Sequence, residues 1–190
     1  MATPYAASLT SIALAEFHTY SGHTEDDAPL GERIRQYWQE IALPFPGVET
    51  PWSGAFVSWC VRRAGASPQE FRASARHGDY VQWAIGNADS STGVFHGTPF
   101  NSAAVALGDL IQWNRGGGTL DFAHARANNA YASHVAIVVS LGQDPNGPHA
   151  LTVGGNESDR VRRSRVPLGA DGRIVQRQRN PYITLIRTLK

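Results

Sequence analysis

Thr50-Pro51-Trp52-Ser53-Gly54-Ala55-Phe56-Val57-Ser58-Trp59-Cys60 puts a small hydroxyl residue where an apolar helix begins. Phe56, Val57, Cys60 and Val61 fall on one side of a helix over residues 53–64, and Gly65 terminates the pattern. It is the most apolar helical segment of the chain, which predicts a place in the core. Backbone N–H groups at a helix start point outward unpaired, and the helix dipole favours negative charge there. A nucleophile at Ser53 would be easier to ionise, and an oxyanion could be held beside it. Judged on this stretch alone, capping the helix is the commoner role for such a serine.

Working outward, residues 8–20 carry Leu9, Ile12, Ala13, Glu16 and Phe17 at helical spacing, closed by Ser21-Gly22. Residues 30–42 repeat the signal with Leu30, Ile34, Tyr37, Trp38 and Ile41, until Pro44-Phe45-Pro46-Gly47 breaks it. A fourth helix is expected over residues 68–85, with Pro68 suited to a first helical position. After Gly108 the period changes. Residues 109–113, 133–140, 150–153 and 182–188 read as strands, and 160–166 as a further one. Helices first and strands afterward predict an α+β domain, with N-terminal helices packed on a mostly antiparallel sheet. The 190 residues, 42% of them hydrophobic, suffice for one sizeable core, so residues 1–190 are expected to form a single domain.

A net charge of +1 makes no case for nucleic acid or a membrane surface as the main partner, because such binding needs a concentrated basic patch. The charge is nevertheless uneven. The first fifty residues hold seven acids against Arg33 and Arg35, whereas the last thirty-six hold eight arginines and Lys190 against Glu157, Asp159 and Asp171. A solvated outer face accounts for the arginines most simply, and contact with an acidic polymer is the alternative. One cysteine excludes an intramolecular disulfide. No apolar run suggests membrane insertion, and residues 1–14 lack the basic start and apolar stretch of a signal peptide. Export by another route is the expectation for a protein that acts outside the cytoplasm.

The stretch Pro51-Trp52-Ser53-Gly54-Ala55-Phe56-Val57-Ser58-Trp59 resembles the nucleophile helix of the NlpC and CHAP type cell-wall peptidases, where a Pro-Trp-Cys-x-Ala-Phe-Val pattern carries the catalytic cysteine. Here Ser53 stands in that place. Gly108-Asp109-Leu110-Ile111 is similar to the strand that follows the family's helices, and Ser133-His134-Val135-Ala136-Ile137-Val138 to its histidine strand. Val153-Gly154-Gly155-Asn156 matches the position of a third polar residue. The resemblance covers about residues 50–160 in order. Residues 74–80, with His77, are also similar to a subgroup in which serine takes the cysteine's place.

The resemblance implies a papain-like (NlpC/CHAP-like) fold and a hydrolase, a peptidoglycan amidase or endopeptidase, that cleaves an amide by acyl transfer without cofactor or metal. Ser53, His134 and Asn156 would be nucleophile, base and orienter, and Trp52, Trp113 and Tyr131 would line the groove. Read on its own residues, His134 opens an apolar strand in which Val135, Ile137 and Val139 pack. Asn156 would fix its tautomer. Glu157 and Asp159 are substitutes, Glu157 the weaker because its side chain should point to the opposite face. His77 suits a functional role and a helix-packing role equally. Cys60, two turns deeper than Ser53, reads as a small buried apolar residue. His18, His23 and His124 show no ligand spacing and read as solvated side chains. Glu40, Glu49 and Asp109 are the remaining acids for glycoside chemistry, with no pair marked out.

Serine changes the energetics, since a hydroxyl loses its proton only as attack occurs, whereas a thiol can exist as thiolate. Ser53 is then a native nucleophile, an engineered replacement of cysteine, or the mark of a site that only binds. The serine-bearing subgroup favours the first. Peptidoglycan is the expected partner, in the periplasm or cell wall. A catalytically inactive wall- or partner-binding module is the alternative. A toxin effector delivered by a contact-dependent (type VI) secretion machine would keep the chemistry and add an immunity protein.

Overall fold

The computed structural model describes residues 2–190. Helix α1 spans Pro4–Tyr20, α2 Ala28–Glu40, α3 Ser53–Arg63 and α4 His77–Ser90. Strands β1 (Phe95–Pro99) and β2 (Leu110–Asn114) precede a short α5 (Phe122–Ala127), and β3 (Ser133–Asp144), β4 (Gly147–Gly154), β5 (Arg162–Pro167) and β6 (Tyr182–Thr188) complete the chain. All strand pairs are antiparallel, in the order β1-β6-β2-β3-β4-β5. The α+β class with an antiparallel sheet therefore holds.

Strand alternation explains how the sheet takes the helices. Val135, Ile137 and Val139 of β3 join the core with Leu9, Ile34, Phe56, Val57 and Val61, whereas Val138 faces a second cluster with Ile111, Val166 and Leu185. Helix α3 is buried from Ser53 to Val61. Glu16 of α1 is itself buried and accepts hydrogen bonds from Arg33 Nε (2.9 Å) and Tyr37 Oη (2.5 Å) of α2. The Arg33 guanidinium lies 4.3 Å from the Trp59 ring centre, so one ion pair fastens three helices.

One expectation needs correction, and two elements are added. The helix predicted over residues 68–85 begins only at His77. Ser67 and Glu70 close a turn on each other, with Ser67 N donating to Glu70 Oε2 and Glu70 N to Ser67 Oγ. Beyond it, Ser74 is drawn to α3: its carbonyl accepts from Ser58 Oγ (2.8 Å) and its N–H donates to the same oxygen (3.0 Å). Strand β1 and helix α5 also lie in segments that carry no clear period, α5 being started by Asp121 Oδ1 accepting from His124 N.

Helices α3 and α4 begin against backbone. A Cβ on Gly54 would stand 2.0 Å from the Ala75 carbonyl oxygen, and one on Gly78 2.1 Å from that of Asn129. Only hydrogen fits at either position. Gly86, on the exposed side of α4, has open space instead. Gly54→Ala should therefore cost about 1–3 kcal/mol through overpacking, while Gly86→Ala should gain up to about 1 kcal/mol through helix propensity. Urea denaturation of the two variants checks the contrast; equal stabilities would refute the close approach.

Candidate active site

Ser53 is the first residue of α3, and Trp52 precedes it without any side-chain cap on the helix. The serine does not cap the helix. Its Oγ lies 2.7 Å from Nε2 of His77, the first residue of α4. Both side chains are nearly buried, at 2% and 7% exposure. Two helix N-termini thus face each other through one hydrogen bond. The glycine after each residue lets the backbone close in behind it.

The link between these helices is clamped at both ends. Ser58 holds Ser74 from α3, and Asp79 in the first turn of α4 accepts from Ser74 Oγ (2.7 Å), Arg76 Nη2 (3.1 Å) and Asn129 Nδ2 (3.0 Å). The carboxylate also sits favourably at a helix N-terminus. His77 is therefore set in place by its neighbours in sequence as well as by packing.

The other ring nitrogen of His77, Nδ1, is bonded to Tyr80 Oη. With the proton on Nδ1 donated to Tyr80, Nε2 is free to accept from the Ser53 hydroxyl, which is the base-competent tautomer. Burial raises the Tyr80 phenol well above its usual range, so it stays protonated. Burial also pushes the His77 imidazole well below its ordinary 6.5, with repulsion from His134 and Arg115 added. A neutral base is thereby available at neutral pH, at the cost of a weaker pull on the serine proton.

His134, 3% exposed at the start of β3, packs edge to face against His77 with ring centres 5.3 Å apart. Its hydrogen-bond partner is Glu157: Nε2 lies 3.1 Å from Oε1, and Oε2 of the same carboxyl accepts from Ser164 Oγ at 2.6 Å. Ser53 is thus bonded to His77 rather than His134, and His134 to Glu157 rather than Asn156. Asn156 is nearby and buried, with a left-handed backbone (φ 54°), and its carbonyl accepts from Arg115 Nη2 at 3.4 Å. The expected alternation of faces fails after Gly154 because β4 ends there: Asn156, Ser158 and Asp159 all have positive φ, and the turn swings Glu157 back under His134.

Two clefts open on this cluster. A smaller one, about 320 Å³, reaches Ser53 and His77 between Pro51, Asn129 and Tyr131. A larger one, about 570 Å³, is lined by Trp113, His134, Asn156 and Glu157. Arg115 lines both. Trp113 and Tyr131 are therefore wall residues of the clefts, Tyr131 accepting from Gln112 Nε2 at 2.9 Å. Trp52 is not: it is fully buried, its indole N–H donates to Glu25 and its ring stacks on Tyr37.

Cys60 is fully buried, and burial raises its thiol well above the usual range, which makes it inert. Asp109 is also buried, bonded to Ala106 N and Arg187. His18 is exposed, and His23 and His124 are half-exposed. His77 lies on the helix expected after α3, and its bond to Ser53 adds a partner that the expected set of Ser53, His134 and Asn156 lacks. The dipeptides Ser53-Gly54 and His77-Gly78 mark the two helix starts, though not their pairing: each is a polar residue followed by the one residue that permits close backbone contact.

A family model described as "Uncharacterized protein conserved in bacteria (DUF2272)" matches residues 18–185, and the chain belongs to that family. No curated protein and no solved structure matches the chain.

The site makes stability depend on pH. The folded state holds His77 neutral, while the unfolded chain protonates it near 6.5, so stability present above that pH falls as pH drops from about 6.5 toward the lower folded value. Urea unfolding between pH 8 and pH 5 should show a steeper loss for the unaltered chain than for His77→Gln. Parallel curves would contradict the buried neutral imidazole.

Proposed function

We propose that this chain is a hydrolase of the bacterial cell wall, opening an amide of peptidoglycan by acyl transfer through Ser53 in a domain of papain-like, NlpC/CHAP-like arrangement. The observation that carries the reading is the Ser53–His77 hydrogen bond at the uncapped start of α3. The helix-strand order and the motifs from Pro51 to Asn156 supply the fold analogy and the substrate class. The site of action is the periplasm or wall, and delivery as an antibacterial effector is compatible with it.

Ser53 Oγ attacks the amide carbonyl carbon as its proton passes to His77 Nε2. The first N–H groups of α3, which have no partner within the helix, hold the oxyanion. The tetrahedral intermediate collapses as His77 returns the proton to the leaving amine, and water, activated by the same imidazole, hydrolyses the ester. Tyr80 holds the ring in the required tautomer. Among the described residues no carboxylate bonds to His77, so the imidazolium that forms is stabilised mainly by the neutral phenol and the oxyanion beside it.

A second reading gives the proton to His134, which Glu157 orients in the manner of a carboxylate-held base. It requires the two rings to exchange places at Ser53. Purified protein incubated with sacculi, with soluble fragments followed by chromatography, separates these readings. The unaltered chain should release fragments, Ser53→Ala should abolish release, and His77→Ala should slow it by roughly 10²–10⁴-fold. Loss in His134→Ala with near-normal release in His77→Ala would establish the second reading. Release by Ser53→Cys alone would make the serine a replacement for cysteine, and binding without release by any variant would leave a wall-binding module.

A further inference from the structure

The arginines concentrated near the C-terminus converge on the larger cleft, where Arg165, Arg177 and Arg179 join Arg115 around the His134–Glu157 pair. Glu157 is the cleft's one carboxylate, and both of its oxygens are engaged, by His134 and Ser164. Arg165 is paired with Asp144 behind the cleft. Arg115, Arg177 and Arg179 take no part in any ion pair among the described residues, although Arg33, Arg76, Arg126, Arg173 and Arg187 do.

One of these cations, Arg177, is held rather than loose. Arg177 lies 4.4 Å from the Tyr182 ring centre and 5.4 Å from that of Trp113, and its Nε donates to the Asn180 carbonyl. That leaves its terminal nitrogens as a fork of donors. Tyr182, 2% exposed and also in the cleft wall, has a buried hydroxyl with no hydrogen-bond partner among the described residues, and the same is true of Nε of Arg165. A concave site with surplus positive charge, one fixed guanidinium and unpaired buried donors in its wall is built for an anion.

We infer that this cleft is a carboxylate-binding subsite, which holds a free carboxylate of the wall peptide while the peptide's scissile amide lies at Ser53. The identity of the peptide rests on the hydrolase reading; the anion preference rests on the cleft. Arg115, shared by both clefts, lies where one peptide would pass from the nucleophile to the anion site. Fork geometry suits a carboxylate, which two parallel N–H donors bind together. The subsite would select stem peptides by a charged end, and would set which amide reaches Ser53.

The test uses full-length Ser53→Ala protein, which binds without turnover, and co-sedimentation with intact sacculi or with sacculi whose carboxylates have been converted to amides by carbodiimide and ammonia. Amidation should weaken binding about tenfold, and added salt should erase the difference between the two preparations. Arg177→Gln with Arg179→Gln should lose affinity for intact sacculi only. Arg179→Gln alone, at an exposed residue with no packing role, should lose part of it. Arg63→Gln with Arg72→Gln removes the same charge elsewhere on the surface and should change nothing.

Equal binding to both preparations, no binding to either, or the same loss in the control pair would overturn the subsite. Turnover measured on the unaltered chain separates the two ideas. Hydrolysis without carboxylate preference rejects the subsite alone, and carboxylate preference without hydrolysis rejects the hydrolase reading alone.

Discussion

The hydrogen bond between Ser53 and His77 joins the first residues of two helices, and much of the surrounding structure exists to bring those two ends together. Side-chain caps would have satisfied the free N–H groups of α3, as Thr3 does for α1. Here they are left available and the serine is turned toward an imidazole. Gly54 and Gly78 bring neighbouring backbone within contact of each helix start, and the Ser58–Ser74–Asp79 chain of hydrogen bonds fixes the segment between them. Displacing any of these parts would move the hydroxyl, the imidazole or both.

Burial of this pair shapes its chemistry. A desolvated His77 resists protonation, so the base is free at neutral pH, yet the imidazolium formed during attack is costly. Tyr80, itself kept protonated by burial, fixes the ring without supplying a countercharge. The nearest carboxylate-held imidazole is His134, and its edge contact with His77 adds to the cost of charging the latter. The second histidine is thus coupled to the first even though it makes no bond to the serine.

Much of the fold was legible because burial follows period. The 3.6-residue spacing of Leu30, Ile34, Tyr37 and Trp38 and the alternation of Val135, Ile137 and Val139 report directly which faces meet the core. Pro68 misled because it began a turn, closed by Ser67 and Glu70, that looked like a helix start. Ser53 and His134 could be singled out from their places in the helix and strand. The Ser53–His77 pairing could not, since it depends on where a non-periodic link carries α4. Glu157 was ranked below Asn156 on strand alternation, a rule that lapses once successive residues take positive φ. The burial of Trp52 was equally hidden, as an aromatic beside a nucleophile reads alike whether it lines a groove or packs on Tyr37.

Activation of Ser53 by His77 can be read from a serine-reactive fluorophosphonate and intact-mass analysis. Attack would form an Oγ–phosphorus bond and expel fluoride as the hydroxyl proton passes to His77. One adduct is expected, mapped to Ser53, formed by the unaltered chain and by folded His134→Ala but not by folded His77→Ala. An adduct at another residue, or labelling of Ser53 that survives loss of His77 and vanishes with His134, would contradict it.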